Sequence, residues 1–161
     1  MIQLNIQTIL QHLRDKGIDA QFQQQHGQIH FGANADGRHF PLFLRVDPHE
    51  RILQTILFLP CALSASAAPD AARLLAYINK EIDMPGFGMD EATRIIHYRC
   101  TLPTLTGTID SDVLDHILAL MPRISSVFFR SISAVASGLR FETALPELQK
   151  LFKDLSQLGK Q

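Results

Sequence analysis

The chain has 161 residues, 46% of them apolar and 19% charged, and a formal net charge of −1. That length and balance describe one ordinary domain with a real core; they exclude a disordered protein and, with no basic surplus to release counterions from phosphate, exclude nucleic acid as the main partner. No apolar run approaches bilayer-crossing length, so no membrane insertion is expected, and the start MIQLNIQTILQHLRDKG lacks a basic region ahead of a continuous apolar one. Cys61 and Cys100 fall at strand positions and are expected as buried free thiols in a reducing, cytoplasmic compartment.

Residues 2–15 read as an amphipathic helix with Ile2, Ile6, Ile9, Leu10 and Leu13 on one stripe, ended by Gly17. Strands follow at 18–24, 28–33, 39–46 and 52–59, with turn chemistry at 34–37 and 47–50. In the third strand Phe40, Leu42 and Leu44 share one face and Phe43 takes the other. Apolar residues on both faces point to a central strand covered on both sides, or to a face reserved for a partner. Residues 60–68 form a small-residue connector, and Asp70 is the expected N-cap of the next helix.

Leu74, Leu75, Ile78 and Ile82 recur at helical spacing up to Pro85-Gly86. The period then switches to two: Phe87 and Met89 alternate with glycines, a polar turn spans 90–93, and 94–102 is a β-branched and aromatic strand. After a polar loop at 104–108, Asp110 or Ser111 caps a helical segment through Ala136. Its stripe of Val113, Ile117, Met121, Ile124, Phe128, Ile132 and Val135 keeps phase across Pro122, as a kinked helix would. Gly138 closes it. Residues 144–158 form a last amphipathic helix, with Leu145, Leu148, Leu151, Phe152, Leu155 and Leu158 on its stripe and Pro146 in its first turn.

The order is helix, three or four strands, helix, two-strand hairpin, long kinked helix, then an extra C-terminal helix. This is an α+β fold, an antiparallel sheet flanked by helices, divided as a domain at 1–138 and a helix at 139–161 packed on that domain or on a dimer mate. The order, together with Leu75, Asn79 and Ile82, then Gly86-Phe87, then Ile95 to Tyr98, resembles the class I type III secretion chaperones and the related YbjN-like proteins, over roughly residues 1–136. The resemblance implies an α+β homodimer that either holds an extended segment of a partner or acts as a regulator.

No grouping that carries chemistry stands out. His26, His30 and His39 are the best metal-like set, His26 and His30 falling on one face if the strand is extended, but no Cys or His pair with zinc spacing joins them. Neither cysteine has a catalytic signature, and His97 reads as an ordinary strand histidine. Gly86-Phe87-Gly88 lacks the third glycine and the Lys-Ser/Thr of a phosphate loop. Neither catalytic nor metal residues nor a cofactor are assigned. The expected function is a non-enzymatic module that holds a polypeptide segment by strand addition, with Phe40, Phe43 and Leu44 as partner-binding residues and the outward-facing phenylalanine as anchor. The alternative is a regulatory or structural dimer without an extended client. Homodimerisation is expected through the helix from Val113 to Val135 or the strand from Arg94 to Leu102.

Overall fold

A computed structural model describes residues 1–158, the Leu158 side chain excepted; the predicted apolar position Leu158 and residues 159–161 lie outside the described part. The elements are β1 (Ile2–Gln3), α1 (Ile6–Asp15), β2 (Gln21–Gln23), β3 (Gln28–Ala35), β4 (Arg38–Val46), β5 (Ile52–Ala62), a 3-10 turn (Ala65–Ala67), α2 (Ala68–Glu81), β6 (Phe87–Asp90), β7 (Ile95–Pro103), β8 (Thr108–Ile109), α3 (Ser111–Ala136) and α4 (Phe141–Leu158). Hydrogen bonding orders six strands as β2-β3-β4-β5-β7-β6, and β1 pairs separately with β8. The fold is α+β. Two compact units share the chain: Met1–Leu59 with His97–Val127, and Pro60–Ile96 with Phe128 onward.

In the first unit, α1 starts later than its periodicity suggests. Asn5 caps it, its Oδ1 accepting the Thr8 N–H at 2.9 Å, and Ile2 belongs to β1 opposite Ile109. A strand of two residues is too short to show a period, so helical spacing absorbed Ile2. β3 and β4 form a hairpin through Asp36-Gly37, both at positive φ (49° and 73°), the geometry that matches strand twist. Asn34 and Ala35, read as turn, remain in the strand. β3, β4 and β5 alternate: Ile29, Phe31, Phe40, Leu42, Leu44, Leu53 and Leu57 are buried on the inner face. Ile9 and Leu13 of α1 and Leu114, Ile117 and Met121 of α3 are also buried in this unit, and Thr55 Oγ1 on β5 donates to Met121 Sδ at 3.2 Å. Each fully buried aliphatic side chain contributes roughly 1.5–3 kcal/mol relative to exposure.

In the second unit, α2 begins at Ala68 with Pro69 in its first turn; Asp70 lies inside that turn, favourable to the helix dipole, and does not cap it. Three of the residues that carried the family resemblance, Asn79, Gly86 and Phe87, meet here. Asn79 Oδ1 accepts the N–H groups of Gly86 and Phe87 at 3.2 and 3.0 Å, and its Nδ2 donates to the Phe87 carbonyl at 2.8 Å. One side chain thus fixes where β6 begins. α4 starts at Phe141, where the N–H groups of Thr143 and Ala144 reach the Arg140 carbonyl, so Phe141 joins the stripe and Pro146 sits one turn deeper than expected.

α3 is one continuous helix of 26 residues with Pro122 inside it, capped by Asp110, whose Oδ1 accepts from Asp112 and Val113. Of its predicted stripe, Ile117, Met121, Phe128, Ile132 and Val135 are buried and Val113 is 47% exposed. Most of the stripe is therefore used within the chain, and Val113 and Val127 are the large apolar residues that the helix leaves exposed. By length and composition α3 also qualifies as a membrane span, contrary to the expectation that no such segment exists, although Arg123, Arg130 and several serines interrupt its apolar residues. A buried core helix has the same composition.

Candidate protein-binding site

The three residues predicted to bind a partner divide between the two sheet faces. Phe40 and Leu44 are fully buried core residues, so neither presents a surface; the parity of β4 places them with Leu42. Phe43 points outward and is half-buried. Its ring stacks on His30, with centroids 5.9 Å apart and planes at 17°, and meets Phe58 edge-on at 5.3 Å. Its cross-strand neighbours are His30 and Ile56. Phe43, Ile56 and Phe58 thus form an apolar outer patch.

A second feature lies at the edge of the same sheet. β2 pairs with Gln28, Ile29 and His30, and among the described residues no strand pairs with the rest of β3 on that side. The two-residue turn closes on the Ala35–Arg38 pair, so ladder bonds to β4 run through Ala35, Ala33 and Phe31, and the N–H and C=O groups of Gly32 and Asn34 point to the uncovered edge. The chain turns away just before β2: Gly17 takes φ 76°, Ile18 N–H bonds the Leu13 carbonyl, and Ala20 N–H bonds the Ile18 carbonyl. The gap is a groove of about 490 Å³. Ile18, Phe31, Leu118 and Pro122 give it an apolar lining, while Asp19 and Arg123 are exposed beside them. It continues along Ala119 to Lys16 and Asp115.

That far end is charged. Asp115 Oδ1 and Oδ2 lie 2.7 Å from His12 Nε2 and Lys16 Nζ respectively. Burial pushes the Asp115 carboxyl up, but hydrogen bonds from Lys16 and His12 outweigh it and hold the carboxyl below its usual range. On the outer face the His39 ring lies over Gly32, where an added Cβ would come within 2.0 Å of the ring, and its Nδ1 is 3.0 Å from Asn34 Oδ1. Glycine at 32 is what admits the ring.

The remaining candidates are dispersed. His26 sits in the turn before β3, not on an extended strand, so it does not share a face with His30. Among the described residues no three His, Cys, Asp or Glu side chains come together to hold a metal. Cys61 and Cys100 are both free. Burial pushes the Cys61 thiol up to about 11, and burial raises that of Cys100 against a hydrogen bond with Thr55. Gly86 serves the Asn79 contact. The groove residues Ile18, Leu118, Ala119 and Pro122 were missed from sequence: on helix and loop they carry no motif, and only the shortness of β2 makes them a site.

No curated protein matches the chain. Among solved structures, a chain in "Structure of the HopA1-SchA Chaperone-Effector Complex" is similar at 21% identity, over 70% of this chain and 84% of that chain, with a TM-score of 0.44. The family profile described as "YbjN: Putative bacterial sensory transduction regulator" matches residues 5–134, from the cap of α1 to the last turn of α3. That stretch is well over half of the sequence, and the protein belongs to the YbjN family.

Proposed function

We propose that this protein holds an extended polypeptide segment of a partner and turns over no substrate. The observation that carries the reading is the uncovered edge of β3 beside an apolar groove. A segment laid along it would bond Gly32 and Asn34, at a net of about 0.5–1.5 kcal/mol per hydrogen bond. Its alternate side chains would enter the groove over Ile18, Leu118 and Pro122, or lie on the outer face toward His30 and Phe43. Phe43 is the anchor in this reading, since aromatic rings supply large contact area at low entropy cost. The raised thiols of Cys61 and Cys100 suit inert residues in a reducing cytoplasm, not nucleophiles.

The test is Asn34→Pro. Proline at 34 deletes an outward N–H and places its ring on the free edge, while the ladder bonds through Ala33 and Ala35 stay in place. A photo-crosslinker at Ala119 should capture a polypeptide in native cells with the parent chain and lose it with Asn34→Pro. Undiminished capture by a folded Asn34→Pro chain removes the edge from the site.

A second reading is an isologous dimer of regulatory role, favoured by the outer patch of Phe43, Ile56 and Phe58. Phe43→Ser separates the two. It weakens capture at unchanged mass if Phe43 anchors a client, and halves the mass seen by light scattering if Phe43 lies in a dimer interface.

A further inference from the structure

The second unit has a groove of its own, filled from within. α4 lies against α2 and the last turns of α3. Tyr77 meets Phe141 and Phe152 with ring centroids at 6.3 and 6.1 Å, and Phe128 meets Phe152 at 5.2 Å and Phe87 at 6.2 Å. The Arg73 guanidinium sits 4.5 Å above the Phe141 ring and pairs with Glu142, while Arg140 Nε is 3.0 Å from Asp70. The family match stops at residue 134, so α4 lies outside the matched stretch.

We infer that this groove is a receptor for amphipathic helices and that α4 is its displaceable resident. The occupant's chemistry is read from α4: an acidic residue in the first turn to meet Arg73, and apolar residues at the spacing of Phe141, Ala144, Leu148 and Phe152. A partner helix with that pattern exchanges with α4. The inference is independent of the β3 edge, since every residue in it belongs to the second unit.

Two features make the helix displaceable. Its burial is one-ended: Phe141, Ala144 and Leu148 are buried, Leu151 and Phe152 are half-buried, and Leu155 is 38% exposed. Its polar ties are surface ion pairs, which contribute little and are screened by salt. What retains it, beside the burial of Phe141, Ala144 and Leu148, is the tether, residues 137–140, closed by Gly138 at φ 116°. A short tether imposes an effective concentration of roughly millimolar order, which a free helix must overcome.

The experiment keeps the full chain and weakens α4 on its own side with Leu148→Ala and Phe152→Ala, leaving the groove intact. The probe is a labelled peptide of residues 141–158, followed by fluorescence anisotropy. Removing the Leu148 contact alone weakens the tethered helix by roughly 30-fold or more, so the double variant should bind the peptide at least tenfold tighter than the parent chain. Adding Arg73→Glu, which turns the pair with Glu142 into a like-charge contact, should take back about twofold to fivefold of that gain. A double variant with the parent's circular dichroism and no peptide binding overturns the inference. If the double variant does not fold, hydrogen exchange on the parent chain decides. The α4 amides should exchange through an opening that leaves α2 protected and that salt accelerates; exchange only together with α2 overturns the inference. Exchange of α4 between two copies, seen as a doubled mass that the peptide does not reverse, overturns the partner-helix assignment.

Discussion

The first unit leaves its groove open, and the second fills its own. In the first, β2 spans three residues against the eight of β3, so backbone groups of Gly32 and Asn34 lie open beside a groove whose apolar lining, Phe31 and Leu118, is itself largely buried. In the second, α4 brings Phe141 and Phe152 onto Tyr77, and Phe152 also onto Phe128, and buries Leu148. The difference is not the presence of apolar side chains, since Ile18, Phe31 and Leu118 line one groove and Tyr77 and Phe128 the other. It lies in what is exposed: a strand edge offers directional backbone bonds to any extended chain, whereas an aromatic groove accepts side chains of matching shape.

The contrast can be broken by mutation. Phe128→Ala should have the largest effect, because Phe128 is 2% exposed and touches both Phe87 and Phe152. A loss of about 3–5 kcal/mol in denaturant unfolding is expected. A loss below about 1 kcal/mol, the range of ordinary surface changes, would mean that the second unit is packed as loosely as the open groove.

The ties differ as the grooves do. Asn79 holds α2 to β6 through three uncharged, part-buried hydrogen bonds. Asn79→Ala should cost about 2–3 kcal/mol, since backbone groups lose their partner. Asn79→Asp keeps the two accepted bonds and should cost less. Equal losses would assign the cost to the donated bond to Phe87.

The first unit's tie is charged and nearer to solvent. With Asp115 29% exposed, Asp115→Asn should cost only about 0.5–1 kcal/mol at neutral pH. Folding lowers the Asp115 pKa, so its contribution is complete above the unfolded carboxylate value of about 3.9 and disappears as pH falls through the lowered folded value. The parent and Asp115→Asn chains should therefore converge in stability below about pH 3.9, while the Asn79→Ala difference persists. A gap at Asp115 that does not close in acid would show that packing, not charge, makes the contact.

The positions of most elements were legible in the sequence. Period two gave the alternation of Phe40, Leu42 and Leu44 against Phe43, and period 3.6 gave the α3 stripe through Pro122 and the apolar face of α4. The same patterns misplaced ends: Ile2 was drawn into α1, and α4 was started at Ala144. The candidate site was half legible. Parity put Phe40 and Phe43 on opposite faces, but burial decided that Phe43 is the outward one. The open edge at Gly32 and Asn34 was invisible, because it depends on where β2 begins, and that is decided by Ile18 bonding back to Leu13.

The sequence by itself determined where the longer helices and strands lie, since periodicity and turn chemistry are local properties of neighbouring residues; the two-residue strands β1 and β8 were beyond it. It also carried the Asn79 and Gly86-Phe87 pattern, although not the bonds that join them. Tertiary structure alone decided which apolar faces are covered, which strand edge stays free and what fills the α2 groove. Those outcomes depend on contacts between residues far apart in the chain, such as Thr55 with Met121 or Arg73 with Glu142, and no local period encodes which distant surfaces meet.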